Sequence, residues 1–137
     1  MSTHKTDIAR VWDAAWNHGD TTVLETLLAP TYRRHTTRST ADLVALIRSI
    51  HSAREAFPDL RTTIEHIAED GDLVAVHWSS TGTHTGPFHD LPVTGRRITT
   101  SGMTFARFVD GQVVEEWVSW DGADLFVSLG VVNLWES

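Results

Sequence analysis

The chain has 137 residues, 41% of them hydrophobic, which is the size of one domain (1–137) with enough apolar surface for a core without covalent staples. It has no cysteine, so disulfides and thiolate metal sites are excluded, and a reducing cytoplasm suits it. A formal net charge of -7 at pH 7 argues against nucleic acid or an anionic membrane as partner, since both demand clustered Lys and Arg and the only dense basic stretch is Arg33-Arg34 with Arg38.

The N-terminus leads into an amphipathic segment, so neither a signal peptide nor a membrane span is expected. Ile8, Val11, Trp12, Ala15 and Trp16 recur at helical spacing up to Asn17-His18-Gly19 and predict a first helix. Thr22 and Glu25 have the form of a capping box, with Val23, Leu24, Leu27 and Leu28 behind it and Pro30 as the stop, which predicts a short second helix. Tyr32 to His35 reads as a brief extended or irregular piece before the polar loop 36–39. A third helix, capped near Ser39 or Thr40, carries Leu43, Leu46, Ile47, Ile50 and Arg54 along one side and ends before Pro58. His51 sits at the edge of that side.

After Pro58 the period changes to alternation. Leu60, Thr62, Ile64 and His66 alternate with Arg61, Thr63, Glu65 and Ile67 to give a first strand. Glu69-Asp70-Gly71-Asp72 is a hairpin turn signal, and Leu73 to Thr81 pairs back, with Ala75, His77 and Ser79 on one face and Val74, Val76 and Trp78 on the other. Gly82 to Gly95 is a loop by composition. The last ribbon, Arg96 to Trp120, turns at Val109-Asp110-Gly111. Its outgoing strand has a small, polar face (Thr100, Gly102, Thr104, Ala106) and a bulky one (Met103, Phe105, Arg107). A small, Gly-containing face leaves volume beside polar groups, so the ribbon reads as the floor of a ligand pocket. Asp121 to Leu129 predicts a closing helix, followed by an apolar tail, Val131 to Trp135.

Helices followed by an antiparallel sheet make an α+β order, expected to fold as three N-terminal helices packed on the concave side of a strongly bent sheet, with a cone between them. His77 and Glu116 are the candidate bases on the inferred pocket side. His51 and His35 point toward the same cone, and Asp121 stands at the mouth of the last strand. Histidine suits acid–base work because its ordinary pKa lies near neutrality, yet each of these could equally be a hydrogen-bonded structural residue. Glu115 and Glu116 could likewise form a charged rim. Tyr32 could orient a substrate carbonyl or phenol, and Trp12, Trp16 and Trp120 either line the cavity or fill core. None of the eight histidines falls at metal-ligand spacing with a carboxylate, so no metal site is expected. Val74, Val76, Trp78, Met103, Phe105 and Trp117 would leave an apolar sheet face that no helix covers, which predicts a homo-oligomer, most simply a dimer packed sheet to sheet.

Phe57-Pro-Asp-Leu, Gly82-Thr-His-Thr-Gly86, Leu91-Pro with Gly95-Arg96-Arg97, Phe105-Ala-Arg-Phe before Asp110-Gly111, and Val114-Glu-Glu-Trp117 through Asp121 to Leu129-Gly130 resemble the SnoaL-like polyketide cyclase family, within the nuclear transport factor 2 fold group. The resemblance implies a cone-shaped α+β barrel and a cofactor-free tailoring enzyme of aromatic, anthracycline-type polyketides in antibiotic biosynthesis. In ring-closing members, an Asp on the last strand and a His on the preceding strand serve an intramolecular aldol reaction. The turn Arg107 to Gly111 places those positions at Val118 and Thr104, neither of which can act as a base near neutral pH. They become substrate contacts instead.

The chain is therefore more similar to the branch that hydroxylates such rings without a metal or flavin of its own. There, dioxygen is the co-substrate, with or without a separate reductase, because a deprotonated polycyclic phenol can itself pass an electron to dioxygen in a dry, orienting pocket. The alternatives are a cyclase whose base has moved to Glu116 or His77, and a non-enzymatic small-molecule binding or dimerisation module.

Overall fold

A computed structural model describes residues 3–88, 91–120 and 122–130. Helix α1 (His4–Trp12) buries Ile8 and Val11 and runs on into a π-helical turn, Asp13–Asn17, which buries Ala15. Asn17 then clamps the start of a strand, since its side chain accepts from Thr62 N–H at 2.6 Å and donates to Thr62 O at 3.0 Å. The second helix is one 3-10 turn (Thr21–Val23) plus α2 (Leu24–Leu27), capped by Asp20 rather than by Thr22. It stops before Pro30 is reached, because Leu28 already belongs to strand β1 (Leu28–His35). After the two-residue β2 (Thr40–Ala41), α3 (Leu43–Ala56) is capped by Asp42, whose carboxylate accepts from Ala45 N–H at 2.9 Å.

Four long strands follow: β3 (Arg61–Asp70), β4 (Leu73–Thr83), β5 (Arg97–Val109) and β6 (Gln112–Trp120), and then α4 (Gly122–Ser128). The sheet order is β2-β1-β6-β5-β4-β3. Neighbours are antiparallel except β1 and β6, which pair in parallel. N-terminal helices packed on one sheet, with β1 and β2 interposed before α3, give the α+β arrangement of the nuclear transport factor 2 kind. The expected cone-shaped barrel on a strongly bent sheet is corrected: the sheet is neither closed nor strongly curled, and β2 and β3 stay as separate edges. Closure needs hydrogen bonds between the two edge strands, and a two-residue β2 offers almost no ladder for them.

Two irregularities reset the alternation along strands. In β3, Ile64 pairs with Trp78 and His66 with His77, so Glu65 is an extra residue and the inward row is Thr62, Ile64 and Ile67 rather than one that includes His66. Between β5 and β6, Arg107 pairs with Glu115 and Phe108 with Val113, which leaves Val114 as the extra residue. Val113 and Glu116 both turn inward as a result.

The faces of β4 are opposite to the sequence reading. Val74 and Val76 are fully buried under the helices, and Trp78 packs against the same core. Residues directly opposed across a ladder share a face, and Val76 is opposed to Thr104 while His77 is opposed to the half-exposed Met103. The main core joins α1 and α3 to the sheet through Ile8, Val11, Ile50, Val74, Val76 and Phe108. A second cluster of Phe57, Leu60, Ile98, Leu125 and Leu129 ties the end of α3 to α4. Among the described residues, no helix is long and apolar enough to cross a membrane.

Candidate active site

A cavity of about 540 Å³ opens between the helices and the inner face of the sheet. That is within the range of small-molecule sites. Trp12 and Trp16 line it from the first helical segment, Phe57 from the end of α3, Phe88 from the connection between β4 and β5, Trp78 from β4 and Trp120 from the end of β6, so flat rings surround the space. Polar groups on the floor are spent on one another: Trp78 Nε1 donates to Thr104 Oγ1 at 3.0 Å, and the hydroxyls of Thr62 and Ser80 lie 2.7 Å apart.

Glu116 is the one carboxyl group lining this cavity among the described residues. The unpaired Val114 aims it there, since uninterrupted alternation from the buried Val113 would send Glu115 inward instead. The phenol of Tyr32 donates to Glu116 Oε1, and Tyr32 itself is completely buried behind the cavity wall. Burial pushes the Glu116 carboxyl above the ordinary carboxylate value, while the Tyr32 hydrogen bond and the positive charge of Arg34 act against that rise. Tyr32 is held strongly in its protonated form by burial and by the neighbouring Glu116 charge. The site therefore contains a carboxyl group with an enhanced proton affinity, fixed in place by a phenol that keeps its own proton.

Other candidates are placed elsewhere. His77 lies on the outer face of the sheet, its Nδ1 3.1 Å from that of His66, because β4 turns Val76 and Trp78 inward. His35 also lies on the outer side, with Nε2 2.9 Å from Glu115 Oε2 and its ring 5.7 Å from that of Trp117. His51 is exposed on α3 with Nε2 3.3 Å from Thr21 Oγ1. Asp121 lies outside the described residues. Trp12, Trp16, Thr104, Val118 and Trp120 all line the cavity, whereas Tyr32 reaches it only through Glu116.

Arg34 and Trp78 also line the cavity, and the sequence reading missed both as site residues. Alternation from Tyr32 along β1 was the available signal for Arg34. Trp78 needed the register with β5. Among the described residues, no three His, Asp or Glu side chains gather where they could hold a metal ion.

The profile of the family described as SnoaL-like polyketide cyclase matches residues 6–129. AclR from Streptomyces galilaeus, for which hydroxylation is the suggested activity, is 28% identical with a TM-score of 0.85, the match covering 95% of this chain and 86% of AclR. IdmH from Streptomyces antibioticus, for which polyketide cyclisation is the suggested activity, is 28% identical with a TM-score of 0.83, covering 95% of this chain and all (100%) of IdmH. TsrD from Streptomyces laurentii, at 23% identity and a TM-score of 0.86 over 96% of this chain and 98% of its own, adds likeness of fold alone. No curated protein matches the chain. Equal identity to AclR and IdmH does not single out the hydroxylating branch. With the family profile extending over almost the whole sequence, the chain belongs to the SnoaL-like polyketide cyclase family.

Proposed function

We propose that the protein is an acid–base enzyme of aromatic polyketide tailoring that closes a ring by intramolecular aldol reaction, with Glu116 in place of the family's missing Asp. The observation that carries this reading is a buried carboxyl, locked by Tyr32, at the wall of a cavity surrounded by tryptophan and phenylalanine rings. A carboxyl whose proton affinity is raised is, in its ionised form, a stronger general base than an ordinary one. Glu116 takes the proton from a carbon activated by adjacent carbonyls; the resulting enolate carbon bonds to a second carbonyl carbon; the alkoxide so formed takes the proton back. Nothing is lost or gained, so no cofactor is needed. The aromatic walls hold the folded substrate in reactive register.

The likeness to AclR favours a second reading, hydroxylation by dioxygen. Glu116 would then deprotonate a phenol, the ring carbon would gain one oxygen atom, and the other would leave as water with two electrons from the reduced substrate or a separate reductase. Mass spectrometry of anthracycline-type intermediates incubated with the protein, with and without air and reductant, separates these. An isomer of unchanged mass, formed without air and abolished by E116Q, supports the aldol reading. Gain of one oxygen replaces it with hydroxylation, and binding without turnover replaces both with a binding module.

The outer sheet face supports a homodimer as the working form, packed sheet to sheet. Its apolar centre is now Met103, Phe105 and Trp117, each 40–50% exposed, without the buried Val74 and Val76.

A further inference from the structure

Arg34 stands beside Glu116 in the sheet, its Cα paired with that of Glu116 across the parallel β1–β6 ladder, and its side chain lines the cavity. It is partly buried there. Its charge is felt by both Glu116 and Tyr32. Yet the guanidinium makes no hydrogen bond or ion pair with any described residue, and the Glu116 oxygen that is hydrogen-bonded takes its bond from the Tyr32 phenol. The contrast with its chain neighbour is direct: Arg33 spends Nη1 on Tyr32 O at 2.8 Å, and on the outer face Arg107 spends Nη2 on Glu115 at 2.6 Å.

A partly buried guanidinium that meets no protein acceptor keeps its donors for a ligand in the cavity it lines. The planar fork of Arg fits two oxygen atoms that lie in one plane, as a point-charge ammonium does not. In this cavity such a pair would come from a flat, apolar, oxygenated ring system, since the walls are aromatic and the only other ionisable side chains lining it among the described residues are Glu116 and Arg48. A 1,3-dicarbonyl edge fused to an aromatic ring, and the enolate formed from its diketo form, present such a pair.

Building on the proposed acid–base role of Glu116, we propose that Arg34 is the anchor for the 1,3-dicarbonyl edge of the substrate, donating to its two oxygens while Glu116 takes the proton from the carbon between them. The bond that breaks is that C–H bond. Its electron pair spreads over the two oxygens facing Arg34, the proton moves to Glu116, and Arg34 stays protonated throughout. The substrate class is thus a polycyclic aromatic 1,3-diketone rather than a simple phenol.

The test uses 2-acetyl-1-tetralone, an aromatic 1,3-diketone with no second carbonyl placed for ring closure, on the intact protein. Two signals are read: the enolate absorption band of the bound dione as pH is raised, and exchange of its central C–H for deuterium. Wild type is expected to ionise the bound dione at least about one pH unit below the free compound, the size of effect a nearby opposite charge produces. R34M should bind it through the rings but lose that shift, and R34K should recover only part of it. R34Q replaces R34M if the latter is unfolded by circular dichroism.

E116Q should retain the shift and lose the exchange. An R34M or R34Q protein that ionises the dione as wild type does, or a wild type that neither binds nor shifts it, overturns the proposal. Exchange undiminished in E116Q, with the Arg34 shift intact, removes Glu116 as the base and leaves the anchor standing.

Discussion

Trp78 and Gly102 face each other across the β4–β5 ladder, and the indole lies where a side chain at Gly102 would be: a Cβ there would come within 2.4 Å of Trp78 Cζ2 and 2.8 Å of Ser119 O. The absent side chain at Gly102 does not leave an empty hollow for a ligand. It admits Trp78, and Trp78 in turn forms a cavity wall.

Gly102→Ala should therefore act as an overpacking substitution. Backbone as well as a ring must move, so a loss of about 1–3 kcal/mol is expected in urea unfolding, with an unchanged slope. Binding of flat aromatic ligands should weaken in parallel, because the displaced ring lines their site. A fully stable, fully binding variant would contradict this packing.

The same pair shows what the sequence could and could not disclose. The inner face of β5 was legible because Thr100, Gly102, Thr104 and Ala106 differ sharply from Met103, Phe105 and Arg107. In β4 both rows are plausible inner rows by composition, and only the pairing of Val76 with Thr104 decides between them. Choosing the smaller row placed His77 inside and two core valines outside. Extra residues such as Glu65 and Val114 leave no mark in composition, although each changes which side chains after it face the helices. The N-terminal helices and the inward position of Glu116 were legible, whereas β1 and β2, two strands of the sheet that precede α3, read only as a brief extended or irregular piece and the capped start of the third helix; barrel closure was an expectation that the length of β2 defeats.

Glu116→Gln should lower turnover by roughly 10²–10⁴-fold with the fold intact, the usual contribution of a positioned base. Tyr32→Phe should act differently. Since the Tyr32 hydrogen bond lowers the Glu116 pKa against the larger effect of burial, its removal should raise that pKa further and move the basic-form limb of the kcat/KM profile to higher pH. A limb that stays put, or moves down, would dissociate the phenol from the acid–base chemistry.

Stability should carry the same signature. A carboxyl whose folded pKa is raised binds its proton more tightly in the folded than in the unfolded chain, so the corresponding stability is fully present below the ordinary carboxylate pKa and is lost as pH rises through the raised value. Denaturant midpoints across that interval should fall with pH in wild type and fall less in E116Q. Equal slopes would place the titration elsewhere.

Asp59 gives the opposite sign. It accepts from Thr83 N–H at 2.7 Å and from the Thr83 hydroxyl at 2.8 Å, and these bonds hold its carboxyl below the usual range. Its contribution should be present above the unfolded carboxylate pKa and disappear as pH falls through the lowered value. Asp59→Asn should flatten that part of the acid-unfolding curve, measurable by circular dichroism between about pH 5 and 2.

Phe105→Glu should leave a folded monomer if the outer face joins two copies, because it sets like charges into the centre of the contact. Light scattering of wild type at micromolar concentration should give twice the chain mass. A monomeric wild type would remove the dimer.

Strands β3 to β6 pair with their neighbours in sequence, each within one connection of the last, whereas β1 must find β6 from the far end of the chain. Tyr32 and Glu116 are 84 residues apart and meet only through that parallel seam. Sequence-distant contacts are entropically the hardest to close. The four-strand meander can thus assemble as a scaffold while its acidic residue still lacks both Tyr32 and Arg34. Chemical competence then arrives with the docking of the first strand, which makes ligand binding a report on whether the two ends of the chain have been joined.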